Sequence, residues 1–263
     1  MEITLLSGMK GEVRGLSLKR LQELARTKKD SIEAKASWVS HIIQNCWLRT
    51  TDLGPVYKAD TFNWDDALLA DRFGVVLAAS VATYGKEFPI GIRCQNKECD
   101  SKYDWELNLL DLPTQTFPPE VIEVLSSGEN RFEKEVLGQK IFFMVPTGKT
   151  EMALSAIRES IKMDPGPLDT VLARVVEVEG MSKPEWTEWI GDLSLGDADE
   201  LKSFMDSCDA AYFTAFDTEC PKCDTINRVQ LPFGPALFQA RRKKAASESR
   251  GPSSQPSKTP STT

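Results

Sequence analysis

The sequence predicts an α+β protein that is mostly helical and carries a discontinuous pair of β-hairpins. Three observations support this prediction. Apolar residues recur at helical spacing along much of the chain, alternating runs indicate hairpins, and two of these hairpins each carry a cysteine pair at the tip. We expect one domain over residues 1–239, in which a helical insertion at about 118–210 separates the hairpins at about 88–110 and 211–233.

The N-terminal third is predicted to contain two short strands and three helices. EITLL and GEVRGLS have strand-like composition, and Leu18, Leu21 and Leu24 then form one helical stripe. A second helix is expected from about residue 31. The third is the clearest, with Asn63 as its N-cap and Gly85 just past its end. Its centre, ALLADRFGVVLAASVA, is apolar on nearly every face, which indicates a position inside the core.

The remaining elements follow in two hairpins and the segment between them. FPIGIRC and YDWELNL flank the turn QNKECDSK, and AYFTAF and INRVQLPF flank DTECPKCDT. The intervening part is predicted to be a proline-started helix at PPEVIEVL, a hairpin at RFEKEVLGQKIFFMV, and helices near residues 150–162, 168–178, 184–192 and 198–210.

Length, composition and charge exclude several classes of protein. The 263 residues are 41% hydrophobic, which suffices for a substantial core. The start MEITLLSGMKGEVRG lacks the apolar run of a signal peptide, and no window reaches the roughly 18 apolar residues of a membrane span. We therefore expect a protein that stays in the cytoplasm of the cell that makes it and has no membrane partner.

The charge is divided unevenly between the body and the C-terminus. Residues 241–263 contain six basic residues and one acidic residue, and the rest of the chain carries 26 basic against 38 acidic residues. Because the body of the chain is this acidic, it should bind phosphate groups poorly. Nucleic acid is therefore not the expected partner. Residues 240–263 are rich in Ser, Thr, Pro and Lys and have no large apolar residue, which predicts a disordered basic tail.

Four of the six cysteines have the spacing of metal ligands. Four residues separate Cys94 from Cys99, and two separate Cys220 from Cys223. Zinc prefers four thiolates in a tetrahedron, and two short turns that each supply two sulfurs can build such a site. In a reducing compartment, paired spacings of this kind indicate metal more often than disulfides. The sequence therefore predicts a discontinuous zinc ribbon that holds one structural Zn²⁺.

Two alternatives remain for these cysteines. All four could be ordinary buried thiols, but both pairs lie in polar hairpin tips and match each other. Cys220 and Cys223 could form a redox CxxC motif, but that chemistry is typical of a strand-to-helix setting. Cys46 lies on a predicted helix among apolar neighbours and is interpreted as a core thiol, as is Cys208.

Two other motifs are interpreted as structural. A GKT triplet at residues 148–150 lies between a strand and a helix, but Phe143 occupies the position where a phosphate-binding loop needs glycine. Gly148 is therefore expected to serve a turn, with Thr147 or Thr150 capping the helix. His41 is the only histidine, and its apolar neighbours indicate a structural role.

The order of the segments resembles the bacteriophage baseplate hub assembly proteins, a tail-assembly family of contractile-tailed phages. The resemblance extends over residues of about 10–239 and is carried by the segments GEVRGLSLKRLQELA, WDDALLADRFGVVLAASVATYG, FPIGIRCQNKECDSKYDWELNL, VPTGKTEMAL and CPKCDTINRVQLPFGPALF. It implies a non-enzymatic structural or assembly protein of the baseplate hub, made in the host cytoplasm, with other tail and baseplate proteins as partners and the virion baseplate as a destination. The basic tail is not part of the pattern.

A zinc-ribbon regulator that binds nucleic acid is the alternative function. Its basic tail would hold it on phosphates. The hairpin tips are nevertheless mixed or acidic, because they carry Glu98, Asp100, Glu219 and Asp224. No nucleophile, base and orienting group can be assembled from the sequence, so an enzyme is not expected.

Overall fold

The computed structural model describes residues 1–26, 33–59, 61–231 and 235–238. The structure contains both helices (38%) and strands (26%), so the α+β class is confirmed. Helices account for less than half of the residues in these ranges, so the prediction of a mostly helical protein is not confirmed. The predicted tail at residues 240–263 lies outside the described residues.

Eight α-helices and twelve strands occur in the described residues. The helices are α1 (Leu18–Arg26), α2 (Glu33–Cys46), α3 (Leu69–Tyr84), α4 (Pro119–Ser127), α5 (Gly148–Ile161), α6 (Pro167–Leu172), α7 (Lys183–Gly191) and α8 (Leu195–Ser207), followed late in the chain by a 3-10 turn at Pro235–Phe238. The strands are β1 (Glu2–Thr4), β2 (Lys10–Val13), β3 (Trp47–Asp52), β4 (Glu87–Arg93), β5 (Lys102–Asn108), β6 (Thr114–Gln115), β7 (Phe132–Val136), β8 (Gln139–Phe143), β9 (Val175–Val178), β10 (Ala211–Tyr212), β11 (Ala215–Glu219) and β12 (Ile226–Gln230). Among these helices, none is long and apolar enough to cross a membrane.

The strands form small antiparallel sheets. Two sheets have three strands, in the orders β1-β2-β3 and β7-β8-β9. The pairs β4-β5, β6-β10 and β11-β12 form separate two-stranded sheets. A two-stranded sheet is marginal in water by itself, so the hairpins depend on what packs against them.

Two hydrophobic clusters form the interior, and α3 contributes to both. The first cluster joins the N-terminal sheet, α2 and most of α3 to Leu231, Leu237 and Phe238 near the C-terminus. The second is built from residues 117–210 together with Leu68 and Ala70 at the start of α3. The middle of α3 is buried from Gly74 to Ser80, which confirms the core position predicted from its composition.

A short strand pair connects the segment between the two clusters to the rest of the chain. β6 precedes that segment, β10 follows it, and the two pair through Gln115 and Ala211 and through Thr114 and Tyr212. The Gln115 side-chain amide also donates to the carbonyls of Asp206 (2.9 Å) and Asp209 (2.8 Å). This pairing, together with the hydrogen bond from the Phe213 N–H to the Pro113 carbonyl, holds the segment that follows β5 beside the segment that precedes β11.

The predicted start of α3 was wrong. Asn63 is not an N-cap. Its side chain accepts from the Asp65 N–H and closes a turn, and the helix begins at Leu69. The Leu69 N–H donates to the Pro146 carbonyl, and Leu68 bridges Thr147. Contacts with a segment about 80 residues away therefore set this helix start.

A helix predicted at residues 168–178 is half helix and half strand. α6 ends at Leu172, and Val175–Val178 form β9, which pairs with β8 through Ile141 and Val178. Three of the four residues of β9 are valine, whose branched Cβ favours the pleated surface of a sheet. The free edge of β8 supplied a partner that local periodicity cannot show.

Candidate metal centre

The two hairpins deliver their cysteines at equivalent positions. β4 pairs with β5 as far as Arg93 and Lys102, and Cys94 is the next residue. β11 pairs with β12 as far as Glu219 and Ile226, and Cys220 comes next. In each hairpin the first cysteine thus leaves the end of a strand, and the second lies in the turn that follows.

The four sulfur atoms converge. The Sγ atoms of Cys94 and Cys223 lie 3.7 Å apart, those of Cys99 and Cys220 lie 3.9 Å apart, and all four lie within 4.8 Å of one another. Each short contact joins one hairpin to the other. All four predicted ligands are therefore brought together, across the 120 residues between Cys99 and Cys220.

The sulfur separations match a metal site and not disulfides. A tetrahedral zinc ion with Zn–S distances of about 2.3 Å places its sulfurs about 3.8 Å apart. Disulfide bonds need about 2.05 Å between sulfurs, and every cysteine of the chain is a free thiol. The donor set thus fits a tetrahedral thiolate cage for a divalent ion.

The two tips share a local structure that the cysteine spacing alone does not predict. The second cysteine of each pair is followed by an aspartate with positive φ, Asp100 (42°) and Asp224 (56°), and then by a hydroxyl residue. The carbonyl of that hydroxyl residue accepts from the N–H of the first cysteine, at 2.8 Å for Ser101 and Cys94 and at 2.9 Å for Thr225 and Cys220. Aspartate is among the few residues that adopt this conformation readily. The repeated Cys-Asp-Ser and Cys-Asp-Thr triplets were the available signal.

Hydrogen bonds lower the pKa of two of the four thiols, and burial raises the pKa of a third. Hydrogen bonds lower the pKa of Cys220 to about 6, and the largest contribution comes from the Ser101 hydroxyl, 3.2 Å from Cys220 Sγ. The Thr225 hydroxyl lowers the pKa of Cys223 below its ordinary value. Burial raises the pKa of Cys94 to about 12. A coordinating cation deprotonates a thiol outright, so such an ion would also hold Cys94 as a thiolate.

A polar network joins the hairpins without any metal. The Gln95 N–H donates to Asn227 Oδ1 (2.7 Å), and Asn227 Nδ2 donates to the Tyr103 hydroxyl (3.0 Å). That hydroxyl lies 2.9 Å from Thr218 Oγ1. Asn227 and Thr218 are both buried. The hairpins therefore meet through hydrogen bonds that involve side chains. β4-β5 and β11-β12 form separate sheets, and the predicted discontinuous zinc ribbon is not confirmed.

Comparison with known proteins now supplies the identity of the family. The sequence matches the family described as T4 bacteriophage base plate protein over residues 3–238. The chain belongs to this family. The match confirms the resemblance to bacteriophage baseplate proteins. No curated protein and no solved structure matches the chain.

In this baseplate protein, the two remaining cysteines lie apart from the four-sulfur cluster. Cys46 is buried in the first hydrophobic cluster and Cys208 in the second, as expected for core thiols. Burial raises the pKa of Cys46 to about 11. Cys220 and Cys223 lie between two strands and not between a strand and a helix, so the setting typical of a redox CxxC motif does not occur.

The GKT segment of the baseplate protein forms a helix start, as predicted. Thr147 is the N-cap of α5, and its N–H donates to Thr150 Oγ1 (3.2 Å). The Gly148 N–H donates to the Ala67 carbonyl (3.0 Å), and the Lys149 N–H donates to the Asp65 carbonyl (2.8 Å). Since protein carbonyls occupy these donors, they cannot cradle a phosphate.

Proposed function

We propose that this baseplate protein is a non-enzymatic structural or assembly component of the tail baseplate hub, stabilised by one structural zinc ion. Cys94, Cys99, Cys220 and Cys223 would bind the ion. The convergence of their sulfurs from two hairpins, in a chain that belongs to a baseplate family, is the observation that carries this proposal.

A structural role follows from the donor set. Four thiolates fill all positions of a tetrahedral zinc ion, whereas catalytic zinc sites keep one position open for water or substrate. The ion would also link two hairpins that are far apart in sequence. Because the free energy of binding adds to the free energy of folding, the metal would stabilise the region where the hairpins meet.

The proposed partners are other tail and baseplate proteins, because the family is one of baseplate components. We infer that the chain is made in the host cytoplasm and joins the virion tail there. No contact with membranes is part of this proposal. The mixed charge of the hairpin tips, which includes the ion pair of Arg93 with Asp100, favours protein surfaces over nucleic acid as the binding partner.

Elemental analysis tests the metal. Protein purified without added metal should contain one zinc ion per chain. Cys94→Ser and Cys223→Ser should lose it to the same extent, since each leaves three thiolates. Cys46→Ala and Cys208→Ala are the matched controls and should retain it. A stably folded wild-type chain without metal would refute the zinc site.

Disruption of the gene in its parental phage tests the baseplate role. We expect lysates that contain incomplete baseplates by electron microscopy, and restoration by a plasmid copy. Mass spectrometry of purified virions then decides whether the protein stays in the particle. Normal yields of complete tails without the protein would contradict the proposed role.

A further inference from the structure

Each hairpin tip places one hydroxyl group against the cysteine sulfurs. Ser101 Oγ lies 3.2 Å from Cys99 Sγ and 3.2 Å from Cys220 Sγ. Thr225 Oγ1 lies 3.2 Å from Cys223 Sγ. Three of the four sulfurs therefore have a hydroxyl neighbour within hydrogen-bond distance.

The backbone fixes both hydroxyls in place. Ser101 and Thr225 each follow the second cysteine of their pair by two residues, after an aspartate with positive φ. Their carbonyls accept from the N–H groups of Cys94 and Cys220, which locks each residue to the first cysteine of its own hairpin. The same arrangement occurs in both hairpins, which indicates that the two hydroxyls have the same role at the sulfur cluster.

The chemistry of a metal-bound thiolate sets the direction of these hydrogen bonds. A thiolate on a divalent ion has no hydrogen, so it can only accept, and the hydroxyl must donate. Four thiolates around one divalent cation carry a net charge of about −2, which outer donors offset while they orient the ligands. Ser and Thr supply this hydrogen without adding a competing ligand.

We propose that Ser101 and Thr225 are positioning residues of the metal centre, which donate hydrogen bonds to the ligand sulfurs and thereby strengthen metal retention. This inference rests on the proposed zinc site. Ser101 has one hydroxyl hydrogen and lies between sulfurs of both hairpins, whereas Thr225 contacts a sulfur of its own hairpin. Ser101 therefore ties the two halves of the cage together, and its loss should weaken metal binding more than the loss of Thr225.

The experiment compares metal affinity among full-length variants by competition with a chromogenic chelator. Ser101→Ala and Thr225→Val remove the hydroxyl, and Ser101→Thr and Thr225→Ser keep it. Ser126→Ala is the control, because that hydroxyl donates to the Glu123 carbonyl within α4. We expect zinc affinity to fall roughly 10- to 100-fold in the first two variants, the usual effect of removing an outer-shell partner. The conservative variants and the control should stay near wild type.

Cobalt-loaded protein and metal-free protein supply two further measurements. Loss of a donor to the thiolate should move the sulfur-to-cobalt charge-transfer band to longer wavelength in Ser101→Ala and Thr225→Val. The melting temperature of their metal-free forms should equal that of the metal-free wild type. Unchanged affinity and spectra would overturn the positioning role, as would a fall in metal-free stability large enough to explain the lost affinity. Absence of metal from the wild type would overturn the zinc site itself.

Discussion

At the scale of single residues, the six cysteines divide by their surroundings. Cys46 and Cys208 are buried among apolar side chains of the two hydrophobic clusters. Cys99 and Cys223 are half-buried at the hairpin tips. Exposure and thiolate formation control the reactivity of a thiol, so this division should be measurable.

Alkylation with iodoacetamide at pH 8, read by peptide mass spectrometry, should reveal three classes of thiol. In the metal-loaded protein we expect slow labelling at every cysteine. After chelation, Cys99 and Cys223 should react first, because their sulfurs are the more accessible of the four. Cys46 should react last, because it is fully buried in the first hydrophobic cluster and burial also raises its pKa to about 11. Rapid labelling of Cys46 in the folded protein would contradict its assigned place in the core.

Asn227 stabilises the contact between the hairpins independently of metal. It is fully buried, and its amide accepts from the Gln95 N–H and donates to the Tyr103 hydroxyl. Asn227→Ala should therefore cost about 0.5–1.5 kcal/mol for each of these hydrogen bonds that is lost. This loss should occur with and without chelator in denaturant unfolding, whereas Cys94→Ser should reduce the stability of the metal-loaded form alone. Identical stability of Asn227→Ala and wild type after chelation would exclude the role of the network.

At the scale of elements, the β7-β8 hairpin has an unfavourable residue in its turn. Leu137 and Gly138 form a two-residue loop with φ values of 50° and 77°. Such loops favour Asn-Gly, because a branched apolar residue is strained at positive φ. Leu137 is also 68% exposed, so packing does not repay the strain.

Leu137→Asn should stabilise the protein. Relief of the left-handed strain is worth about 1 kcal/mol, which corresponds to a rise in melting temperature of roughly 2–4 °C for a chain of this size. Leu110→Asn is the control, because Leu110 is similarly exposed at 60% and its φ is not positive. Equal effects of both substitutions in calorimetry would mean that exposure, and not backbone strain, decides the result.

At the scale of the whole molecule, the segment Pro235–Phe238 closes the first hydrophobic cluster. Leu237 is fully buried, and its carbonyl accepts from the Ser80 hydroxyl (2.9 Å). The Phe238 carbonyl accepts from the Tyr84 hydroxyl (2.8 Å), and its ring packs edge-on against Trp38. A segment late in the chain is thus anchored to α3 and α2.

Two truncations should separate this anchor from the tail. Deletion of residues 241–263 should leave the melting temperature nearly unchanged, because that sequence has no large apolar residue. Deletion of residues 235–263 also exposes the site of Leu237 and Phe238, at a cost of about 1.5–3 kcal/mol for each side chain. A large loss of stability in the shorter deletion would show instead that the tail docks on the acidic body.

The sequence by itself determined the features that depend on local chemistry. The cysteine pairs at hairpin tips, the buried central helix and the capped turn at Thr147 each follow from residues close together in the chain. The α+β class and the baseplate family could also be inferred at this level.

Only the tertiary structure decided which distant segments meet. Residues 175–178 form the strand β9 because β8 offers them a free edge. Helix α3 begins at Leu69 because the residues before it are hydrogen-bonded to residues 146–149. The hydrogen bonds of Asn227, and the contacts of the Ser101 and Thr225 hydroxyls with the sulfur cluster, can be recognised only when the two hairpins are seen to be adjacent. The pairing of β6 with β10 holds the adjoining segments together as well, and local periodicity contains no information about a contact between strands almost 100 residues apart.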